Sequence, residues 1–443
     1  MYAIGFHGCS HLGYRMGSMN RSHTDGINLR ENDGYVAHRM IYSEMLDAGV
    51  IGIVDGGDLF HVEHPSVRAV AEAISADDMR VAAGKRRGTP IWRRTNGGNH
   101  DNGASTHVSA VSHIERAELE SLAVFPDSPH PIGPHPGLYE VHQPDADRDL
   151  FLHFVSHNGL DPALGDKGIV IDPKPVSGAV NIFVAHGIFE ADGRLFGAVD
   201  GHGAQRVIPV EWTNRAWSAV ILSDYHTLGP IPGFGPDDDH AGPDVWMTGS
   251  GVRRGFSDED AGRGWIEVRV DDDGHTSVIP HYIWQRPQID FEPIDARGKS
   301  VSDIDRIVRQ RLGDVTLSDG ATENLTGDGG VIIRQVIDYT TQAQRQALAA
   351  CQKDWRAMAA DAAYWSAPYA HPQQARPTMA DCASTTDFSR LDFANEFTTR
   401  RQGNGTVAAA LKAFADEGDE VLSAIVKTTT DTLQSLQSAD ANN

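Results

Sequence analysis

The chain has 443 residues, of which 40% are hydrophobic and three are cysteine, with a formal net charge of −23. It is long enough for two or three packed domains, holds no apolar run of about 18 residues to span a membrane, and its widely spaced cysteines exclude a disulfide framework. The acidity excludes a surface coated for nucleic-acid binding but leaves room for a local basic strip beside a site.

The N-terminal stretch MYAIGFHGCSHLGYR alternates as a strand, with Ile4 and Phe6 on its apolar face. It lacks the basic and apolar regions of a secretory signal, so a cytoplasmic protein is expected. The strand runs into Cys9-Ser10-His11-Leu12-Gly13, a loop of metal-binding residue types. Apolar spacing predicts a helix from Tyr35 to Ala48, a strand over Val50–Val54 and a helix from Ser66 to Val81. Further strands are expected at Leu150–Val155, Val180–Val184 and Ala219–Leu222. Strands and helices thus alternate to about residue 230, with polar clusters just after the strands, where layered α/β enzymes place chemistry.

Beyond this, Val245–Met247, Gly264–Val270 and Thr276–Ile279 read as strands, and Asp237–Asp239 and Asp271–Asp273 as turns. Residues 1–290 form the main domain and 291–367 a smaller α/β unit. The latter has a helix near 301–312, a strand over Gly330–Val336 and a helix near 341–360. Pro368, Pro372 and Pro377 mark a linker over 368–390. Residues 391–443 read as helical, with Val407, Leu411 and Phe414, then Leu422, Ile425 and Val426, on apolar stripes.

Four more polar clusters follow the first. They are Gly56-Gly57-Asp58-Leu59-Phe60-His61, Gly97-Gly98-Asn99-His100-Asp101, Val184-Ala185-His186-Gly187 and Leu222-Ser223-Asp224-Tyr225-His226. Each alone is weak, since a lone His after a strand is more often a hydrogen-bonded loop residue than a ligand. In order, the five resemble the calcineurin-like metallophosphoesterases, whose pattern runs D-x-H, G-D, G-N-H-D, H and G-H-x-H. Gly57–His61 followed by His64-Pro65-Ser66, and Thr248-Gly249-Ser250-Gly251-Val252-Arg253-Arg254-Gly255-Phe256, are similar to the SbcD-type subunit of a double-strand-break repair nuclease. The likeness covers roughly residues 1–365. It implies an α/β fold with a two-sheet sandwich flanked by helices, a capping domain and a C-terminal helical segment.

The resemblance also implies two divalent metal ions, manganese in that family, hydrolysing phosphodiester bonds at DNA ends. Cys9, His11, Asp58 and His226 would hold the first metal, and Asp58, Asn99, His186 and Asp224 the second. His100 would serve the leaving oxygen and His61 the scissile phosphate. Cys9 departs from the family's Asp, Asp224 from its His and Ser223 from its Gly. Both altered ligands are still ligand types, so an altered metal site is expected rather than a lost one, and a soft thiolate favours zinc or iron. The basic residues Lys85, Arg86, Arg87, Arg93 and Arg94 are candidate DNA-backbone contacts, with Arg253 and Arg254 a second pair. Partners implied are DNA, an SbcC-type ATPase docked on the C-terminal helices, and a second copy meeting helices near 35–48 and 106–125, with no membrane. Competing readings are a small-nucleotide phosphodiesterase and a non-catalytic DNA-end-binding scaffold.

Overall fold

The computed structural model describes residues 1–16, 26–101, 135, 137–145, 147–197, 206–240, 242–256, 262–315, 330–360 and 362–371. The chain divides into two compact units, Met1–His371 and Pro372–Asn443. All described residues lie in the first; the expected helices near 106–125 and over 391–443 lie outside them.

Strand β1 (Tyr2–His7) is followed by helix α1 (Leu29–Asp47), β2 (Gly52–Asp55), α2 (Val67–Arg87) and β3 (Trp92–Thr95). Next come β4 (Tyr139–His142), β5 (Leu150–Val155), β6 (Val180–His186) and a small ribbon of β7 (Ile188–Ala191), β8 (Arg194–Phe196) and β9 (Val207–Ile208). The main body closes with β10 (Ala219–Ser223), β11 (Leu228–Pro230), β12 (Val245–Thr248), β13 (Gly264–Val270) and β14 (Thr276–Tyr282).

Two mixed sheets result, ordered β14-β13-β1-β2-β3 and β11-β12-β10-β6-β5-β4. They share one apolar core: Ile4, Phe6 and Val54 from the first sheet pack with Leu152, Phe154, Ile182 and Ile221 from the second. The period of two that puts Ile4 and Phe6 inward turns Ala3 and Gly5 toward α1. Gly5 is needed there, because a Cβ would meet Met45 Sδ at 2.8 Å. Helices α1 and α2 cover the outer face, where Ile41, Met45 and Ala76 pack on Ile53 and Trp265. The parallel strands β2, β6 and β10 are buried on both faces, β3 on one, and the carboxyl ends of β1, β2, β3, β6 and β10 gather at one edge of the sandwich.

Helix α1 begins at Leu29, before the expected Tyr35, with Asn28 as N-cap. Its added turn is polar but buried, because Arg30 pairs with Asp33 and Asp33 with Arg286. Helix α2 runs six residues past Val81 and stops at Gly88, whose φ of 70° is the left-handed conformation that glycine adopts at a helix end.

A smaller sheet is built from β15 (Gln288–Asp295), β16 (Ile332–Asp338), β17 (Tyr364–Ser366) and β18 (Tyr369–Ala370), with helices α3 (Val301–Asp314) and α4 (Gln342–Met358). Capping boxes at Ser300/Asp303 and Thr341/Gln344 start the two helices. Tyr369 pairs with Ile337, so residues expected to open the linker belong to this sheet instead. The expected boundary at 290/291 falls inside β15, and this sheet lies in the same compact unit as the sandwich. No helix among the described residues is long and apolar enough to cross a membrane.

Candidate metal centre

The loops after β1 and β2 continue the parallel pairing of their strands. Cys9 N donates to Gly57 O at 2.8 Å, His11 N to Asp58 O at 2.9 Å, and Leu12 N to Leu59 O at 2.8 Å. This ladder sets Cys9 and His11 beside Asp58. From the second sheet, His186 ends β6 directly opposite Ser223 at the end of β10, which places Asp224 next to it. The β3 loop joins through Asp101, whose carboxylate accepts from Leu59 N at 3.2 Å and Phe60 N at 3.0 Å. Gly98 allows this closure, since a Cβ there would lie 2.0 Å from Asp58 Oδ1.

Five clusters scattered through 218 residues of sequence thus converge on one pocket. Ligand-type atoms of Cys9, His11 and His226 lie within 4.8 Å of one another, as do those of Cys9, Asp58 and His186, and of His11, His61 and His100. Cys9, His11, Asp58 and His186 are almost wholly buried. Four of the seven non-glycine residues with positive φ among the described residues are here: Cys9 at 49°, His11 at 44°, Asp58 at 57° and Asp224 at 106°. Such conformations cost about 1–3 kcal/mol each and cluster where function requires them.

The atom that gathers most donors is His186 Nε2. Asn99 Oδ1 lies 3.2 Å from it, Asp58 Oδ2 3.5 Å and Asp224 Oδ1 3.8 Å. Its other nitrogen, Nδ1, donates to the Gly56 carbonyl at 3.0 Å. Burial opposes a charge on His186, but Asp58 and Asp224 outweigh it and raise its pKa to about 9. Burial likewise opposes the Asp58 charge, and His186 and His11 overcome it, holding this carboxyl well below its usual range. These groups could hold a cation.

On the other side, His11 Nε2 faces Asp58 Oδ2 at 3.6 Å and is buried without a hydrogen-bond partner. Burial, then the nearby Arg254, holds His11 well below its usual pKa. Arg254 donates to His11 Nδ1 and to His226 Nδ1, each at 3.4 Å. Cys9 Sγ accepts from Asp224 N at 3.3 Å. Burial, then Asp58 and Asp224, pushes its thiol well above the usual range, so a cation is needed to ionise it. The donor set, with an orphaned imidazole nitrogen and a surplus of buried acid, fits one or more divalent cations.

His100 stands at the mouth. Its backbone N–H donates to Asp58 Oδ1 at 2.9 Å, and its Nδ1 donates to the His61 carbonyl at 2.8 Å. The His61 ring stacks on His100 with centroids 5.3 Å apart, and Tyr14 meets His61 edge-on at 5.0 Å. Ser223 fits because its neighbours are glycines: a Cβ on Gly56 would lie 1.9 Å from its Oγ, which bonds Thr248 Oγ1 at 2.7 Å.

The basic strip lies elsewhere. Helix α2 starts just after the His61 loop and carries Lys85, Arg86 and Arg87 in its last turn. At 1.5 Å per residue its far end is about 30 Å from its start. Arg87 bonds the carbonyls of Leu46 and Val50, at the entry of β2 and not at its exit. Arg93 is buried beside Asp77 at 3.6 Å and Asp55 at 3.9 Å, so its charge is used internally. Arg94 is half-buried in β3, its Nη1 donating to Arg93 O at 2.6 Å. Of the expected DNA-backbone contacts, Lys85, Arg86 and Arg87 thus stand at the far end of α2, and Arg93 is buried in ion pairs. Of the second pair, Arg253 is buried and only Arg254 reaches the pocket. The sequence placed Asp101 in the third cluster and Arg254 in a basic pair, but did not reveal Asp101 as a loop staple or Arg254 as facing His11 and His226.

No protein-family model matches the chain, and a search of curated proteins finds no match. The pocket's own chemistry therefore carries the functional reading.

Proposed function

We propose that the chain is a metal-dependent phosphodiester hydrolase of the SbcD-type metallophosphoesterase class, acting on DNA ends together with an SbcC-type ATPase. The observation that carries this reading is the four-donor focus of His186 Nε2, Asn99 Oδ1, Asp58 Oδ2 and Asp224 Oδ1, with Cys9, His11 and His226 alongside. The layered sheets and the smaller α/β unit at 288–371 support the sandwich-and-cap architecture of that class. Bound here, divalent cations would supply Lewis-acid charge against the phosphodiester anion and ionise a water near neutral pH.

The residues supply the rest. Asp58 reaches both groups of ligands and ties them together. His100 holds its ring through the His61 carbonyl and presents Nε2 to the leaving oxygen, to which it delivers a proton. His61 fixes the plane of His100 by stacking and lines the approach of the scissile phosphate. A small-nucleotide phosphodiesterase is the second reading, favoured by the placement of Lys85–Arg87 far from the pocket. The test is hydrolysis of blunt duplex DNA and of bis(4-nitrophenyl) phosphate with manganese, zinc, iron and magnesium. Cleavage of both supports the proposal, and cleavage of the small diester alone selects the second reading. Protein that binds metal yet cleaves neither overturns both.

A further inference from the structure

We infer that Arg254 excludes a divalent cation from the Cys9–His11–His226 side of the pocket in the ligand-free protein, so that arginine and cation compete for it. The inference rests on the reading of this pocket as a metal centre. A guanidinium has N–H donors and no acceptor. Because Arg254 donates to His11 Nδ1 and His226 Nδ1, each at 3.4 Å, both nitrogens must accept. Each neutral ring then carries its hydrogen on Nε2, and His11 Nε2 is the atom that faces Asp58. A cation needs the bare lone pair at that atom. Supplying it moves the hydrogen to Nδ1, head-on against the Arg254 N–H groups, and adds a second positive charge beside the guanidinium.

Arg254 is placed there by a fixed backbone. Tyr14 Oη donates to Arg254 O at 2.5 Å, Arg30 donates to Arg253 O, and Arg253 Nη1 donates to Gln288 O at 3.1 Å. Its half-exposed side chain leaves a route outward, so the block is reversible. The opposite side has no such block. The His186 Nδ1 hydrogen goes to the Gly56 carbonyl, so Nε2 is the nitrogen turned toward the Asn99, Asp58 and Asp224 oxygens. One cation therefore enters on the His186 side, and a second enters only as Arg254 withdraws.

The test is calorimetric titration of Mn²⁺ into metal-stripped full-length protein, with bound metal counted by mass spectrometry, for the parent, Arg254→Met and Arg254→Lys. The parent should bind one Mn²⁺ tightly per chain. Arg254→Met, which keeps bulk but has no donors, should bind the second at least tenfold more tightly than the parent does, with Arg254→Lys between. A second measurement needs no substitution at Arg254. Ring-nitrogen ¹⁵N spectra of metal-free parent, assigned with His11→Gln and His226→Gln, should show both rings hydrogenated on Nε2. Two equally tight ions in the parent, an unchanged second Kd in Arg254→Met, or Nδ1–H rings would each overturn the inference. Folded protein of all three kinds binding no metal would instead remove the metal-centre reading beneath it.

Discussion

His186, at the end of β6, and His11, in the loop after β1, approach the same Asp58 oxygen from different sheets, at 3.5 and 3.6 Å, yet they are backed by opposite partners. Behind His186 stands the Gly56 carbonyl, which only accepts; behind His11 stands Arg254, which only donates. The carbonyl takes the Nδ1 hydrogen, so His186 Nε2 can offer a lone pair once its own proton is displaced, whereas a guanidinium turns the ring's hydrogen toward the pocket. Two histidines of the same type, burial and distance are thereby given different readiness for a cation. The lesson is that a ligand is defined as much by the atom behind it as by its own identity.

The hardest blow to both halves is Asp58→Asn, because one Asp58 oxygen faces both His11 and His186. It should strip bound metal and bring hydrolysis to background, as read by metal content and turnover together; retention of both would refute the shared role. Next in size, His100→Ala should leave metal content intact on both sides and lower turnover by about 10²–10⁴-fold. Metal loss in that variant would make His100 a ligand.

A pH series separates the halves. The His186 pKa is raised to about 9, so in the metal-free protein its charge contributes stability that is fully present below about 6.5 and lost as pH rises through about 9. A cation must displace that proton, so affinity on this side should climb by up to about tenfold per pH unit until pH passes the His186 pKa. Calorimetry in buffers of different ionisation enthalpy should count the released proton, and a pH-independent affinity would contradict the geometry. The smallest effect is expected at Cys9. Cys9→Asp should move the preferred metal toward manganese and Cys9→Ala should weaken the His11 side. Identical metal profiles for parent and both variants would show that Cys9 touches no metal.

Much of this pocket was legible because Cys9, Asp58, His186 and Asp224 lie at or just after the ends of mostly apolar strands. What stayed hidden was hidden by partners distant in sequence. Arg30-Glu31-Asn32-Asp33-Gly34 reads as a loop until Arg286, 253 residues away, neutralises Asp33 within a helix. Trp92-Arg93-Arg94-Thr95 reads as a basic strip, yet it is a strand whose Arg93 is held by Asp77 of α2. The short strand β18 is too brief for any pattern and exists because Ile337 and Asp338 offer it an edge. The tautomers of His11 and His226 depend on Arg254, 243 residues from the first, and no local spacing encodes them.

The Arg30–Asp33–Arg286 triad has a consequence for how the protein comes apart. Asp33 takes two bonds from Arg286, at 2.8 and 3.0 Å, and one from Arg30 at 2.8 Å, all in the buried interior. Arg286 also donates to Gly330 O at 2.7 Å, just before β16, while Arg30 holds the backbone that carries Arg254. Peeling the smaller sheet from the sandwich must break all these buried bonds together, and removing one partner alone would leave a buried charge uncompensated at a cost of about 3–5 kcal/mol. Neither part can therefore loosen alone at small cost. Amide exchange in β15 and β16 should slow or quicken in step with β1, as in a single cooperative body.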